Sequence, residues 1–122
     1  MVREAELLHA IDRIYAAAAD GTQWRSALEE LTSLFGGRMA NLELHDTRLR
    51  RLVFFDSIGG EPHETEPYER YYVEVCPRVK HLFETEAGSV HCDYSWFSER
   101  EMGRSEFYED FLARNVEACV RR

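Results

Sequence analysis

The chain changes from a helical pattern to a strand pattern within one stretch, residues 20–46, which reads DGTQWRSALEELTSLFGGRMANLELHD. Asp20 and Thr22 are good helix N-caps, and Gln23 follows Asp20 at the spacing of a capping box. Apolar residues then recur at helical intervals and predict an amphipathic helix over 22–35. They are Trp24, Ala27, Leu28, Leu31, Leu34 and Phe35.

Two glycines, Gly36 and Gly37, end the predicted helix, because glycine readily takes the left-handed conformation that closes a helix. Ala40, Leu42 and Leu44 then alternate with polar neighbours, as the side chains of a half-buried strand do. An apolar helix face followed at once by an apolar strand face predicts a helix lying on a sheet. The expected fold class is therefore α+β.

Similar patterns continue on both sides of this stretch. Residues 4–19 place an apolar stripe on a first helix, which needs a partner and predicts a pair with the helix that follows. The stripe consists of Leu7, Leu8, Ile11, Ile14, Tyr15 and Ala18. Strands near 39–46 and 50–58 predict an antiparallel hairpin. Residues 52–55 are apolar on both faces, so we expect both faces of the second strand to be covered.

A further helix is predicted near residue 68. Thr65 or Glu66 can cap it with Pro67 in its first turn. Pro77 ends or kinks it, since the residue before a proline disfavours the helical conformation. Its inward face would hold Tyr68, Tyr71, Tyr72 and Val75.

The rest of the chain predicts shorter elements. Residues 89–94 alternate as a third strand would, Ser98 and Glu101 form a capping box, and Ser105 begins another helix. Residues 116–120 alternate once more, like the start of a strand. The inward residues of the last helix would be Phe107, Tyr108, Phe111 and Leu112.

Composition limits the classes of function. With 122 residues and 44% hydrophobic side chains, the chain can form one core, so we expect a single domain over 1–122. It has no apolar run long enough to cross a bilayer, and Glu4 and Glu6 stand where a signal peptide would be basic, so we expect a cytoplasmic protein. A net charge of −8 repels phosphate backbones, so we expect no direct nucleic-acid binding.

Catalytic and metal-binding patterns are weak. His91, Cys92 and Asp93, with His81 ten residues earlier, come nearest to a metal or Cys-His cluster, but their spacing fits no ligand set. The three cysteines are far apart and include no CxxC pair, which favours reduced thiols. Charges at helical spacing usually belong to a solvated face, so the glutamates do not indicate acid–base catalysis. We therefore expect no enzyme and no metal, and the sequence identifies no cofactor. The glutamates concerned are Glu99, Glu101, Glu106 and Glu109.

Aromatic residues are concentrated in the second half of the chain. They can line a ligand pocket between a sheet and its covering helices, or they can form the core, and apolar periodicity does not separate these two interpretations. The candidate pocket residues are Phe54, Tyr71, Tyr72, Phe83, Tyr94, Trp96, Phe107 and Tyr108.

Several short segments, spread over nearly the whole chain, together resemble one protein family. They are Ile14-Tyr15, Asp20-Gly21-Thr22-Gln23-Trp24, the helix over 28–35, Leu42-Glu43-Leu44-His45-Asp46, residues 68–77, Gly88-Ser89-Val90 and residues 105–112. Their order resembles the N-terminal sensory region of bacterial LuxR-type helix-turn-helix transcriptional regulators. The resemblance implies a PAS- or GAF-like antiparallel sheet with flanking helices, whose DNA-binding domain is absent here and whose sheet is incomplete because the chain is cut short.

Three classes of function follow. The first is a sensory or ligand-binding module of a transcriptional regulator, which acts by changing the pose or dimerisation of a DNA-binding partner domain. The second is an interaction module that only dimerises, and the third is a small cone-shaped α+β enzyme. An unpaired sheet edge and two apolar helix stripes favour a homodimer, formed through the N-terminal helices or by exchange of the C-terminal segment.

Overall fold

The computed structural model describes residues 2–112, which divide between two compact units. Unit 1 is Met1–Thr65 and unit 2 is Glu66–Arg122. Unit 1 contains two long helices, a strand pair and the start of a short third helix, whereas the described part of unit 2 is helical. The α+β class is therefore confirmed, and the single domain over 1–122 stays a prediction. No helix among residues 2–112 is long and apolar enough to cross a membrane.

Unit 1 begins with the predicted helix pair. Helix α1 is Glu4–Ala19, a 3₁₀ turn follows at Gly21–Gln23, and helix α2 is Trp24–Phe35. Asp20 caps the 3₁₀ turn that leads into α2, since its Oδ1 accepts hydrogen bonds from the backbone nitrogen of Thr22 at 3.1 Å and from the Thr22 hydroxyl at 2.7 Å. Helix α2 itself begins after Gln23, whose side chain makes no capping hydrogen bond.

Helix α2 ends where the glycines predict. Gly36 takes the left-handed conformation with φ 67°, and the Gly37 nitrogen donates to the carbonyl of Thr32 at 2.9 Å. Strand β1, Ala40–Asp46, then pairs antiparallel with β2, Arg51–Ile58. The predicted hairpin is confirmed.

The helix pair meets through small residues. Ala10 and Ala17 of α1 and Ala27 of α2 are at most 1% exposed, and α1 packs against α2. Small side chains allow a close approach of the two helices. The consequence is that most of the α1 stripe is not covered by this contact, because its large members lie to one side of the alanines. Those exposed members are Leu7, Leu8, Ile11 and Tyr15.

The expectation that both faces of β2 are covered is wrong for its tip. Val53 and Phe54 are 51% and 43% exposed, and the described sheet has only two strands. Helix α2 packs on both strands, and Arg25 lies 3.9 Å from Asp56. Leu44 pairs with Phe54, and both side chains are about half-exposed. The strand register shifts directly after this pair, between Leu44 and His45.

The helix predicted near residue 68 begins earlier than expected. Helix α3 is Pro62–Pro67, a π-helical turn spans Tyr68–Tyr72, and α4 is Val73–Val75. The cap at Thr65 or Glu66 is therefore wrong, since Thr65 lies inside α3. Proline has no backbone N–H to donate, and the wider π turn follows directly after it.

Pro77 ends this helical run as predicted. Cys76 is extended, with φ −70° and ψ 117°, and Pro77 starts helix α5, Pro77–Leu82. Helices α6, Asp93–Trp96, and α7, Glu99–Arg104, come next, and a π-helical turn spans Phe107–Leu112. The Ser98 cap of α7 is confirmed, because its Oγ accepts from the nitrogen of Glu101 at 3.2 Å.

The third strand predicted at 89–94 is wrong. Val90 and Tyr94, which should have lain on its buried face, are 94% and 69% exposed. The chain enters α6 at Asp93 instead, and the Ser95 hydroxyl donates to the carbonyl of Cys92 at 2.5 Å. Strand pairing needs a neighbouring edge, and local hydrogen bonds of this kind offer the backbone an alternative. The strand predicted at 116–120 lies outside the described residues.

Candidate functional site

The described part of unit 2 contains a group of packed aromatic rings, here called the aromatic cluster: Tyr68, Tyr72, Phe107, Tyr108 and Phe111. Helical spacing in each π turn brings its rings to one side, and the two turns contact each other. Tyr72 stacks on Phe111 at 4.9 Å between ring centroids, and Tyr68 lies 6.0 Å from Phe107 edge to face. Phe107 is 1% exposed. These distances are those of a packed core, not of an open cavity.

Arg78 lies over this cluster. The extended Cys76 and the start of α5 at Pro77 place Arg78 in the first helical turn. Its Cζ atom is 5.0 Å from the centroid of Phe107 and 6.0 Å from that of Tyr108. A guanidinium at this distance from an aromatic face is attracted by the ring quadrupole and held in one plane.

Asp93 and Tyr108 form a pair beside the guanidinium. The Tyr108 hydroxyl donates to Oδ2 of Asp93 at 2.5 Å, and the same Oδ2 is 3.8 Å from Nε of Arg78. Burial, and then the hydrogen bond to Asp93, raise the pKa of Tyr108. The phenol therefore stays protonated and Asp93 keeps a fixed orientation.

The guanidinium of Arg78 has unused hydrogen-bonding capacity. No oxygen of residues 2–112 accepts a hydrogen bond from it, and its Nε is buried without a partner. The 3.8 Å approach of Asp93 supplies charge compensation but is too long for a hydrogen bond. The Arg78 side chain is nevertheless 37% exposed, so a small molecule can reach it. Among residues 66–112, this half-buried arginine, whose donors meet no oxygen acceptor, is the side chain best suited to hold a ligand.

Cys76 is a nucleophilic side chain that interacts with Arg78. It is 3% exposed, and burial raises the pKa of its thiol, although Arg78 acts in the opposite direction. A protonated and buried thiol is a poor nucleophile. The side chain therefore contributes packing here.

A second group of rings surrounds Trp96. His81 stacks on the indole at 5.0 Å with an interplanar angle of 11°, and His91 stacks on it at 4.9 Å. Phe97 lies edge-on to His81 at 5.0 Å. His81 and His91, which are ten residues apart in the sequence, therefore both contact Trp96. No group of three or more potential ligands that could hold a metal ion occurs among residues 2–112.

Four of the eight candidate pocket residues lie together in unit 2. Tyr72, Phe107 and Tyr108 belong to the aromatic cluster, and Tyr71 lies beside Tyr72 at 5.1 Å. The others lie elsewhere: Trp96 with the histidines, Tyr94 exposed, Phe83 after α5 and Phe54 half-exposed in unit 1.

Sequence reasoning missed Arg78 and assigned no role to Asp93 beyond a weak metal cluster. The available signal was an arginine directly after a Cys-Pro break, between the apolar residues Val75 and Val79. A charged residue in such a run needs a partner when it is buried.

Unit 1 contains one buried charged residue of its own. Glu64 is 4% exposed, its Oε1 accepts from Nη2 of Arg38 at 3.1 Å, and its Oε2 is buried without a partner. The nearby Gly59 has φ 84°, and a Cβ there would lie 2.1 Å from the carbonyl oxygen of Arg38. The pair and the tight turn hold the segment before β1 against the segment after β2, so we assign them a structural role.

No protein-family model, no curated protein and no solved structure matches this chain.

Proposed function

We propose that this chain is a ligand-sensing domain of a bacterial LuxR-type transcriptional regulator, without enzymatic activity and located in the cytoplasm. The observation that carries the proposal is the half-buried Arg78, which is held over aromatic rings and whose donors meet no oxygen acceptor among residues 2–112. Packed arginines usually have their donors satisfied, and such an arginine is typical of a binding site. The PAS- or GAF-like arrangement is part of this proposal and is supported by the helix pair and hairpin of unit 1.

The proposed mode of action is that a small molecule bound at Arg78 changes the pose or the dimerisation of a DNA-binding partner domain. The negative charge of the chain supports a division of labour in which DNA is contacted by the partner domain. An electrophoretic mobility shift at low micromolar concentrations of this chain and physiological salt would contradict that division.

Native mass spectrometry of the chain purified from a bacterial host tests the sensing role. We expect a small-molecule adduct on the unmodified protein and its loss in Arg78→Gln. Arg70→Gln is the matched control, because Arg70 is an exposed arginine of the same unit. An adduct that persists in Arg78→Gln, or the absence of any adduct, would count against the proposal.

The proposal includes a homodimer formed through α1. Leu7, Leu8, Ile11 and Tyr15 are 40–72% exposed and lie on one side of that helix. A contiguous apolar strip of this kind is typical of an interaction site. A stable interface covers about 800 Å² per partner, so the strip would supply the apolar centre and its polar neighbours the rim.

Sedimentation at increasing concentration tests the dimer. We expect the unmodified chain to move from the 14.3 kDa species to twice that mass, and Leu8→Glu to weaken association at least about tenfold. Val90→Glu is the matched control, since Val90 is 94% exposed and lies in unit 2. A chain that stays monomeric throughout would refute the dimer and leave the sensing role to be judged separately.

A further inference from the structure

We infer that the ligand of this site carries a singly charged carboxylate, which the guanidinium of Arg78 binds through two parallel hydrogen bonds. This inference rests on the proposed sensing function, and it adds the chemical class of the ligand. Three observations support it: the Arg78 donors that meet no oxygen acceptor, the aromatic rings that hold the plane of the guanidinium, and the negative charge of Asp93 beside it.

The free donors define the geometry of the missing acceptor. A guanidinium presents its N–H groups as a planar fork, which matches the two oxygens of a carboxylate. No oxygen of residues 2–112 uses any of these donors. An incoming carboxylate would therefore compete with no oxygen acceptor of these residues.

The aromatic rings reduce the entropy lost on binding. Phe107 is almost fully buried, and Arg78 lies 5.0 Å above its centroid, so the plane of the guanidinium is set before a ligand arrives. Arg78 is also in the first turn of α5, where the backbone of Cys76 and Pro77 positions it. A pre-oriented fork binds a planar anion more tightly than a mobile one.

The local charge favours a monoanion. Asp93 lies 3.8 Å from the guanidinium and already compensates part of its charge, while Tyr108 holds that carboxylate in place. A doubly charged phosphate monoester would meet the same single cation and be repelled more strongly by Asp93. A carboxylate is therefore the best match among the common oxyanions.

Isothermal titration with three probes of similar shape tests the inference: benzoate, benzamide and phenyl phosphate. We expect benzoate to bind at least about tenfold more tightly than the other two. Arg78→Gln should weaken benzoate binding at least about tenfold, whereas Arg70→Gln should leave it unchanged. Arg78→Lys keeps the charge but removes the fork, and we expect it to recover only part of the affinity.

The outcomes separate this inference from the function on which it rests. Equal binding of benzoate and benzamide, or tighter binding of phenyl phosphate, would overturn the carboxylate. An Arg78-dependent adduct without a carboxylate would overturn it too, while leaving the sensing role standing. The absence of both adduct and probe binding would overturn both. If circular dichroism shows that Arg78→Gln is unfolded, the comparison of the three probes on the unmodified chain still tests whether the ligand is a carboxylate.

Discussion

The two units are stabilised in different ways. Unit 1 uses two regular helices that meet through alanines, with a hairpin packed against α2. The described part of unit 2 uses short helices and two π-helical turns, whose aromatic rings pack beside the half-buried ion pair of Arg78 and Asp93. Regular helices satisfy their own backbone groups and leave their side chains free to pack. Short helices leave more of those groups at their ends, so unit 2 depends more on particular side chains.

Each unit contains one tryptophan, so the unfolding of the two units can be followed separately by fluorescence. Trp24 is in α2 and Trp96 is in α6. Trp96→Phe leaves Trp24 as the fluorescent reporter of unit 1, and Trp24→Phe leaves Trp96 as the reporter of unit 2. Coincident urea unfolding curves from the two reporters would establish the predicted single domain, and separate curves would refute it.

The largest effect is expected in unit 2. Phe107→Ala removes the most buried large side chain and the ring beneath Arg78, and should lower the free energy of unfolding by about 3–5 kcal/mol. Urea unfolding followed through Trp96 measures it. Tyr94→Ala serves as the control, because an exposed ring should change the free energy by only about 0.5 kcal/mol. Equal effects of the two substitutions would show that the aromatic cluster is not the core of this unit.

A slightly smaller effect is expected from Leu28 in unit 1. Leu28 is 5% exposed, so Leu28→Ala should lower the free energy of unfolding by about 2–5 kcal/mol. Leu31 belongs to the same predicted apolar face but is only half-buried, so Leu31→Ala should have the smaller effect. Urea unfolding followed through Trp24 compares the two. A larger effect at Leu31 would place the core of unit 1 further along α2.

The turn after β2 is expected to be sensitive to a single methyl group. Gly59→Ala forces a non-glycine residue into φ 84°, which costs about 1–3 kcal/mol, and also drives Cβ into the carbonyl of Arg38. Gly103→Ala is the matched control. It lies in α7 with open space around it and should raise the free energy of unfolding by about 0.5–1 kcal/mol. Thermal unfolding of both variants measures the difference in stability. Equal stabilities would show that Gly59 does not lie close to the carbonyl of Arg38.

The smallest effect concerns Asp20 and pH. Hydrogen bonds from the side chain and backbone of Thr22, and then from the side chain of Gln23, lower the pKa of Asp20. The resulting stabilisation is complete above the unfolded-state pKa of about 4 and is lost as the pH falls through the lower folded-state value.

Unfolding measured between pH 5 and pH 2.5, both chosen for the scan, should therefore show a smaller loss of stability in Asp20→Asn than in the unmodified chain. Asp12→Asn, on the exposed side of α1, is the control and should follow the unmodified chain. Identical pH profiles for all three proteins would show that the cap does not contribute.

The elements of unit 1 agree with the sequence predictions better than those of unit 2, because the apolar patterns of unit 1 are longer. The patterns over 4–35 and 39–58 are long, so several residues agree on each element, and the helix pair and hairpin were predicted correctly. At 89–94 only three apolar residues carried the strand pattern, and the hydrogen bond between Ser95 and Cys92 belongs to a helix start instead. The sequence does not reveal the start of α3, because Pro67 suits the first turn of a helix, although the chain is already helical from Pro62.

At the candidate site, too, the sequence predicted some features and not others. Periodicity identified Tyr72, Phe107 and Tyr108, since apolar side chains at helical spacing face inward. It gave no indication that Arg78 lies over Phe107, or that Asp93 meets Tyr108 fifteen residues away. Such polar contacts depend on how separate short helices pack together.

The sequence by itself determined the α+β class, the helix pair, the hairpin and the break at Pro77, because these follow from local propensity and from the spacing of apolar residues. Only the tertiary structure decided which apolar side chains are covered and which charged groups meet. It left the α1 stripe exposed, buried Glu64 and placed Arg78 over the aromatic cluster. Burial and ion pairing depend on neighbours that are distant in the chain, and no local pattern specifies them.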